Sequence, residues 1–170
     1  MFYTISDDLI FYQIVRFSKR YSNLELKLYS YFYNRTKGIS PEFIVVVKQF
    51  ILFFVKNENY FDSKRFLDSM RREIKDKKIL IIRAEKILIN LLFSLFPDLY
   101  IHNIALEVND SSGQREISLY FLSYKERGIA IGRGAEYIKC VNNLFSKHIK
   151  FENNHKPIEI KCKNLIPEVC

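Results

Sequence analysis

The chain has few of the residues that build disulfide scaffolds, metal centres and membrane spans. It contains three cysteines, Cys140, Cys162 and Cys170, with no Cys-x-x-Cys pair, and it has no tryptophan. An odd, widely spaced set of cysteines predicts neither a disulfide framework nor a zinc site, and it favours a reducing compartment. The most apolar run, residues 43–55, is interrupted by two polar residues and is too short to span a bilayer. We therefore expect no metal site and no membrane partner.

Motifs of catalysis are also missing. His102, His148 and His155 are widely spaced, and no cysteine or carboxylate stands at a metal-ligand interval from them. The chain has neither the phosphate-binding loop of nucleotide triphosphatases nor the Gly-x-Ser-x-Gly turn of hydrolases. We therefore predict a protein that is not an enzyme and that uses no cofactor. His148 is expected to complement the dipole at the C-terminal end of a helix.

The charge balance indicates the kind of partner. Lysine and arginine together number 27 against 19 acidic residues, which gives a formal net charge of +8 and an isoelectric point near 9.3. Such a surplus favours a polyanionic partner such as nucleic acid or an acidic membrane surface, and a merely soluble basic protein is the alternative. Apolar residues make up 48% of the chain, enough for a hydrophobic core and too many for a disordered tail.

The amino-acid composition gives an indication of the cellular compartment. The chain has 15 Phe and 11 Tyr but only four Ala, which is typical of an A/T-rich genome such as that of a plastid, a mitochondrion or a parasite. The N-terminus carries acids where a signal peptide would carry lysines. These features predict an intracellular protein, in an organelle or otherwise in the cytoplasm.

Residues 128–139, with the sequence GIAIGRGAEYIK, are the most informative part of the chain. Gly132 and Gly134 flank Arg133, and an amphipathic helix pattern follows directly. Glycines allow positive φ angles and let a polyanion approach the backbone closely. The amide groups at the start of the next helix attract phosphate, and Arg133 adds a positive charge. This is the layout of the loop with which KH domains hold single-stranded RNA.

The surrounding elements extend this likeness over residues 83–163. The segment resembles a KH domain of the second topology, most of all the last KH domain of the transcription factor NusA. That topology runs helix, strand, strand, helix, loop, helix, strand, and the matching segments here are 84–95, 100–108, 115–122, 125–131, 136–148 and 158–163. The family pattern is Gly-x-x-Gly, but its fourth place is Ala135 in this chain. Since Gly has a lower helix propensity, Ala135→Gly is expected to loosen the start of the following helix while tightening RNA binding.

The resemblance implies a set of RNA-binding residues. Gly132, Arg133, Gly134 and Ala135 would hold the sugar–phosphate path of about four nucleotides. A Gly132→Asp and Gly134→Asp double substitution is expected to abolish binding without unfolding. An apolar groove would carry the bases, with strand 115–122 as its other wall and with lining residues Ile129, Ile131, Ile138 and Val141. Tyr137 would stack on a base or lie exposed on the helix. The surrounding positive field would come from Lys125, Arg127, Lys139 and Lys147.

The first eighty residues show helical patterns and match no family. Four helices are predicted: from Ser6–Asp8 to about Lys19, over 24–33, from Ser40–Glu42 to about Lys56, and from Asp62 to near Lys77. The fold class is therefore α+β, with a helical region at 1–80, a KH-like domain at 83–163 and a C-terminal tail at 164–170. The resemblance to NusA implies an S1-type barrel and two KH domains in tandem. This chain is expected to have room for only one KH domain, and residues 1–80 lack the alternating pattern of an S1 barrel.

Basic residues are concentrated between Lys64 and Lys78. On one helix starting at Asp62, residues 64, 68, 71, 75 and 78 would share a face. A solvated helix face is the simpler interpretation, and a second phosphate-contacting surface is the alternative.

Three functions follow as hypotheses. The first is an RNA-binding regulator similar to NusA that acts with RNA polymerase in transcription elongation or termination. The second is a structural component of an organellar ribosomal subunit or another ribonucleoprotein. The third is a protein-interaction module in which the KH fold has lost its RNA site.

Overall fold

A computed structural model of the protein describes residues 10–18, 20–152 and 159–165, and these form a mixed α+β fold. The strands are β1 (Val15–Phe17), β2 (Phe43–Val47), β3 (Phe50–Val55), β4 (Lys78–Arg83), β5 (Asn103–Val108), β6 (Arg115–Phe121), β7 (Ile149–Phe151) and β8 (Glu159–Asn164). The helices are α1 (Asn23–Arg35), α2 (Tyr60–Lys64), α3 (Leu67–Glu73), α4 (Leu88–Ser94), α5 (Tyr124–Ile131) and α6 (Glu136–Lys147). Short 3₁₀ turns cover Asn57–Asn59 and Arg133–Ala135.

The helix predicted from Ser40–Glu42 to Lys56 is wrong. The segment forms the antiparallel hairpin of β2 and β3, in which Val47 pairs with Phe50 across a two-residue turn. Lys48 at that turn has a φ of 51°. The run FIVVV–FILFFV is rich in β-branched and aromatic residues, which favour a pleated, buried strand over a helix. The two polar residues that interrupt the run are the turn.

The other helices predicted in the first half have mixed outcomes. The pattern over 24–33 is confirmed by α1, whose N-cap Ser22 and residue Glu25 form a capping box. The first predicted helix is wrong where β1 lies, and its proposed cap at Ser6–Asp8 falls outside the described residues. The helix predicted from Asp62 is broken at residues 65–66 into α2 and α3. The region is thus not all helical, because β1 to β4 lie within it.

The elements of the second half lie close to their predicted positions. The structure has α4, β5, β6, α5, the turn at 133–135, α6 and β8 in that order. β5 and β6 are antiparallel, β6 and β8 are parallel, and the sheet order is β5-β6-β8. β7 was not predicted, and it pairs with β1 from the other end of the chain. The start of the predicted closing strand, at 158, falls outside the described residues.

The first half repeats this arrangement. α1, β2, β3, α2, α3 and β4 follow in the same order, with an antiparallel β2–β3 pair and β4 parallel to β3. The sheet order β2-β3-β4 therefore corresponds to β5-β6-β8. The expectation that only one such unit fits in the chain is wrong. The two copies differ at the connection between their last two helices, which is Arg65–Phe66 in the first and Gly132–Ala135 in the second.

One hydrophobic cluster joins the two halves. It includes Phe43 and Phe54 from the first half, and Leu92, Leu119 and Val141 from the second. A second cluster lies within the first half, where α1 packs on the sheet and the Phe32 and Phe53 rings stack with centroids 4.6 Å apart. Within the described ranges, no helix has both the length and the apolar character needed to cross a bilayer.

Candidate nucleic-acid interface

The loop between α5 and α6 has positive φ angles at three of its four residues, Gly132, Gly134 and Ala135. Ser123 caps the start of α5 by accepting a hydrogen bond from the Glu126 amide at 3.1 Å. α5 ends at Gly132, which has a φ of 81°, and the chain then continues through Gly134 at 61° and Ala135 at 60°. These positive φ values direct the chain into α6, whose first amide groups have no partner inside the helix.

Gly132 is required by contact as well as by conformation. A Cβ placed on Gly132 would lie 2.9 Å from the Tyr137 Cβ and 3.0 Å from the Tyr137 amide nitrogen. At Gly134 the nearest atom to such a Cβ is 4.0 Å away, on the side chain of Glu136. The two glycines therefore have different roles, since Gly132 allows close packing of the loop on α6 whereas Gly134 is open to its surroundings.

Tyr137 does not occupy either position predicted for it. It is 8% exposed, and its hydroxyl donates a hydrogen bond to the backbone carbonyl of Leu95. Its ring packs edge to face with Phe50 and with Phe96, with centroids 5.6 Å apart in both pairs. Burial raises the pKa of the Tyr137 hydroxyl, so this group remains a donor. Stacking on a base and exposure on the helix are both wrong, because Tyr137 joins the two halves of the molecule.

The cationic side chains predicted around the loop differ in solvent exposure and in hydrogen bonding. Arg133, Lys125 and Lys139 are exposed. Arg127 is half-buried, and its Nε donates to the Cys162 carbonyl at 3.0 Å, which ties α5 to β8. The three exposed cations can rearrange around a phosphate, whereas Arg127 holds a fixed position beside them.

The predicted apolar groove is only partly accessible. Ile129 is 55% exposed, and Ile131 and Ile138 are half-buried. Val141 is fully buried, so its assignment to the groove is wrong. It lies on the inner side of α6, where an apolar residue belongs to the core.

The basic residues between Lys64 and Lys78 do not share a helix face, since α2, α3 and β4 divide them. The Arg71 guanidinium donates twice to the Ile79 carbonyl, at 3.2 and 3.0 Å. The Lys77 ammonium donates to the Lys48 carbonyl at 2.6 Å. Neither side chain forms an ion pair among the described residues, so their carbonyl partners leave both positive charges uncompensated there.

A cleft lies where these cations approach the loop. Its volume is about 610 Å³, and we call it the junction cleft. Its walls are formed by Phe50, Arg71 and residues 77–80 of the first half, the connecting segment 96–99, and residues on both sides of the Gly132 turn. The sequence did not predict the apolar walls, because the residues that form them come from segments that are far apart in the chain. The basic run ending at Lys78 was the one signal that pointed toward it.

Three further side chains, two cysteines and a histidine, differ from simple surface groups in their pKa. Burial raises the pKa of Cys140 and of Cys162 to about 12 in each case, which leaves both thiols protonated and weakly reactive. The prediction that Cys140 is a core residue is confirmed. Burial also lowers the pKa of His148, so the expected cationic role at the end of α6 is not supported.

No protein-family profile matches the chain, and a search of curated proteins finds no match. The fold is similar to that of a solved protein described as "Crystal structure of APE1850", with a TM-score of 0.57 and 20% sequence identity. The match covers 84% of this chain and 99% of that chain. A likeness at this identity concerns the fold alone. Its extent means that the shared fold includes elements of both halves.

Proposed function

We propose that the protein binds single-stranded RNA without catalysing a reaction, and that the loop Gly132–Ala135 is the point at which it holds the sugar–phosphate backbone. The observation that carries this proposal is the loop geometry. Three positive φ values within four residues place an open glycine and an exposed arginine directly before α6. The Ala135 and Glu136 amides donate to the carbonyls of Gly132 and Arg133 within the 3₁₀ turn. A phosphate at this position would therefore be attracted mainly by the positive end of the helix dipole and by the Arg133 charge.

The element order supports a KH domain of the second topology over residues 83–163. A helix, an antiparallel strand pair, two helices around a glycine loop and a final strand parallel to the middle strand are the parts that this domain requires. All of them occur here in that order, with β6 between β5 and β8. The net charge of +8 is consistent with a polyanionic ligand.

The repeated topology favours the NusA-like hypothesis over the ribosomal one. Tandem KH domains are what the resemblance to NusA implies, and the first half supplies a second copy of the arrangement. Its helix connection at Arg65–Phe66 contains no glycine, and Phe66 has a φ of −94°. The first copy therefore lacks the open loop, and we assign backbone binding to the second. Co-purification with RNA polymerase subunits is expected, whereas recovery with ribosomal subunits would favour the alternative role.

Gly134 allows a sharp test of the RNA-binding proposal. Gly134→Asp places a carboxylate where phosphate would bind, in a position with space for a side chain and a φ that Asp tolerates. Gly134→Asn is the matched control, since it has the same shape without the charge. We expect anisotropy titrations of a labelled single-stranded RNA to show at least about tenfold weaker binding for Asp than for Asn, which is about 1.4 kcal/mol. Equal affinities for the two folded variants would remove the loop from the proposal.

A further inference from the structure

The junction cleft is continuous with the loop that we assign to the RNA backbone. Gly132 and Arg133 contribute both to the loop and to the cleft wall. The cleft volume of about 610 Å³ falls within the range of sites that hold small organic ligands, roughly 300–1,000 Å³. A strand held at the loop therefore passes the mouth of a cavity large enough for one of its nucleotides.

The inner walls of the cleft are apolar and rigid. Phe50, Phe96 and Tyr137 pack edge to face in its floor. Two side chains present more accessible apolar surface, namely Ile129, which is 55% exposed, and the half-buried Leu99 of the connecting segment. A flat nucleobase that packs against such surface removes apolar area from water, and this contact does not require a particular base.

The rim of the cleft is cationic and only weakly neutralised. Lys78 forms an ion pair with Glu136 at 3.5 Å, and the two side chains are 58% and 43% exposed. An exposed pair of this kind contributes little, so an incoming phosphate can replace the carboxylate. Arg133 has no ion-pair partner within the described ranges. Asp98, the other acid at the rim, pairs with Lys64 at 3.5 Å.

We propose that the junction cleft accepts one unpaired nucleotide of the bound RNA, with its base between Leu99 and Ile129 and its phosphate between Lys78 and Arg133. This inference rests on the proposed function and adds a specific subsite to it. The nucleotide displaces Glu136 from Lys78. Both halves of the chain then contribute to one binding site, although only the second half has the open glycine loop.

Tryptophan reporters test whether a base enters the cleft. Because the chain contains no tryptophan, an introduced one is the sole tryptophan emitter, and excitation at the red edge of its absorption band avoids the 11 tyrosines. We expect single-stranded RNA to quench the emission of Ile129→Trp in the full chain, and that of Leu99→Trp on the connecting segment. Tyr124→Trp is the control, since Tyr124 lies on the same helix as Ile129, is 81% exposed and does not line the cleft. Thermal unfolding identifies any variant that fails to fold. If Leu99→Trp fails to fold, the comparison of quenching in Ile129→Trp with that in Tyr124→Trp decides whether a base enters the cleft.

Charge variants test the phosphate position. We expect Lys78→Ala to lower the slope of log affinity against log salt by about 0.7, the value for one single-strand phosphate contact. Lys150→Ala is the control on β7, away from the cleft, and is expected to leave that slope unchanged. Glu136→Gln is expected to tighten RNA binding, because it removes the carboxylate that competes for Lys78.

The failures of the two proposals are distinguishable. If Gly134→Asp abolishes binding while the cleft tryptophans stay unquenched and Lys78→Ala retains the full salt slope, the loop holds RNA and the cleft inference is overturned. If the unmodified chain binds no single-stranded RNA, the proposed function fails first and the cleft inference fails with it.

Discussion

Gly132 and Tyr137 are packed so closely that the first residue has no space for a side chain. A Cβ on Gly132 would stand 2.9 Å from the Cβ of Tyr137 and 3.0 Å from its amide nitrogen. Tyr137 cannot withdraw, because its ring is held by Phe50 and Phe96 and its hydroxyl by the Leu95 carbonyl. The shape of the loop is therefore coupled to the contact between the two halves of the chain.

Gly132→Ala is expected to destabilise the protein strongly. The positive φ alone costs about 1–3 kcal/mol for a residue with a side chain, and the overlap with Tyr137 adds to that cost. Gly134→Ala, which has the positive φ without the overlap, should lose less of the free energy of unfolding. Urea denaturation of both variants measures the difference. Equal losses would show that Tyr137 does not restrict position 132.

The close contact between Gly132 and Tyr137 also changes the expectation that the Gly132→Asp and Gly134→Asp double substitution abolishes RNA binding without unfolding the protein. Its Gly132→Asp component would disturb the fold, which is why the binding test uses Gly134.

Gly128 supplies a stabilising counterpart on α5, since its φ is not positive and nothing lies within 4 Å of an added Cβ. We expect Gly128→Ala to raise the free energy of unfolding by up to about 1 kcal/mol. A loss of stability would mean that this position contacts another part of the chain.

Ala135→Gly is expected to stabilise the protein, opposite to the sequence-based expectation. Ala135 is the N-cap of α6 and has a φ of 60°, so helix propensity does not apply to it. An L-residue with a Cβ pays roughly 1–2 kcal/mol in this conformation, which glycine avoids. Part of that gain is offset by the greater freedom of glycine in the unfolded chain. Thermal or urea denaturation decides the sign, and a less stable Ala135→Gly would restore the original expectation.

The contrast between the two halves shows what sequence patterns can predict. In the second half, turns and polar breaks separate the elements, and their order was predicted together with the loop. In the first half, Ser40 and Pro41 have the pattern of a helix start, although the run beginning at Phe43 has the β-branched and aromatic composition of strands. Local cap signals outweighed composition there. Parallel pairing of β3 with β4 depends on contacts that no local pattern contains.

The cleft illustrates a further limit. Phe50, Leu99 and Ile129 come from three separate segments, and each alone has the pattern of an ordinary core or surface residue. Tyr137 was misassigned for the same reason, because its partners Phe50 and Leu95 lie far from it in sequence. No local sequence pattern shows which residues of the first half pack against residues of the second.

Glu116 is expected to contribute stability that depends on pH. It is 5% exposed, and its carboxylate lies 2.7 Å from the Lys163 ammonium and 3.0 Å from that of Lys161. Burial alone would raise the pKa of Glu116, but its hydrogen bonds to the two lysines hold it below the usual value. The stabilisation is therefore complete above the unfolded-state pKa, near 4.3 for a glutamate. It is lost as the pH falls below that value toward the folded-state pKa.

Glu116→Gln removes this contribution. We expect a loss of about 1–3 kcal/mol at neutral pH, as for a buried group left without its charged partner, and a weaker dependence of stability on pH between roughly 5 and 3. Glu159→Gln on the exposed part of β8 is the matched control and should change neither quantity. A Glu116→Gln variant as stable as the parent at pH 7 would show that the two lysines are satisfied by water or by Glu107.

His148 is expected to weaken the fold as the pH is lowered. Burial, together with the charge of Lys147, lowers the pKa of its imidazole, and Glu25 opposes this shift without reversing it. The folded protein therefore favours the neutral ring, which packs edge to face with Phe43 at 6.4 Å. The stabilisation is complete above the unfolded-state pKa of about 6.5. It is lost as the pH falls from that value to the lower folded-state pKa, because the unfolded chain takes up the proton first.

His148→Phe keeps a ring beside Phe43 and cannot be protonated. We expect this variant to lose less free energy of unfolding between pH 7.5 and pH 5.5 than the parent, as measured by urea denaturation at both values. The exposed His102 provides the control, and His102→Gln should retain the pH dependence of the parent. If the parent and His148→Phe lose equal stability over this interval, the packing of His148 against Phe43 has no part in the pH dependence.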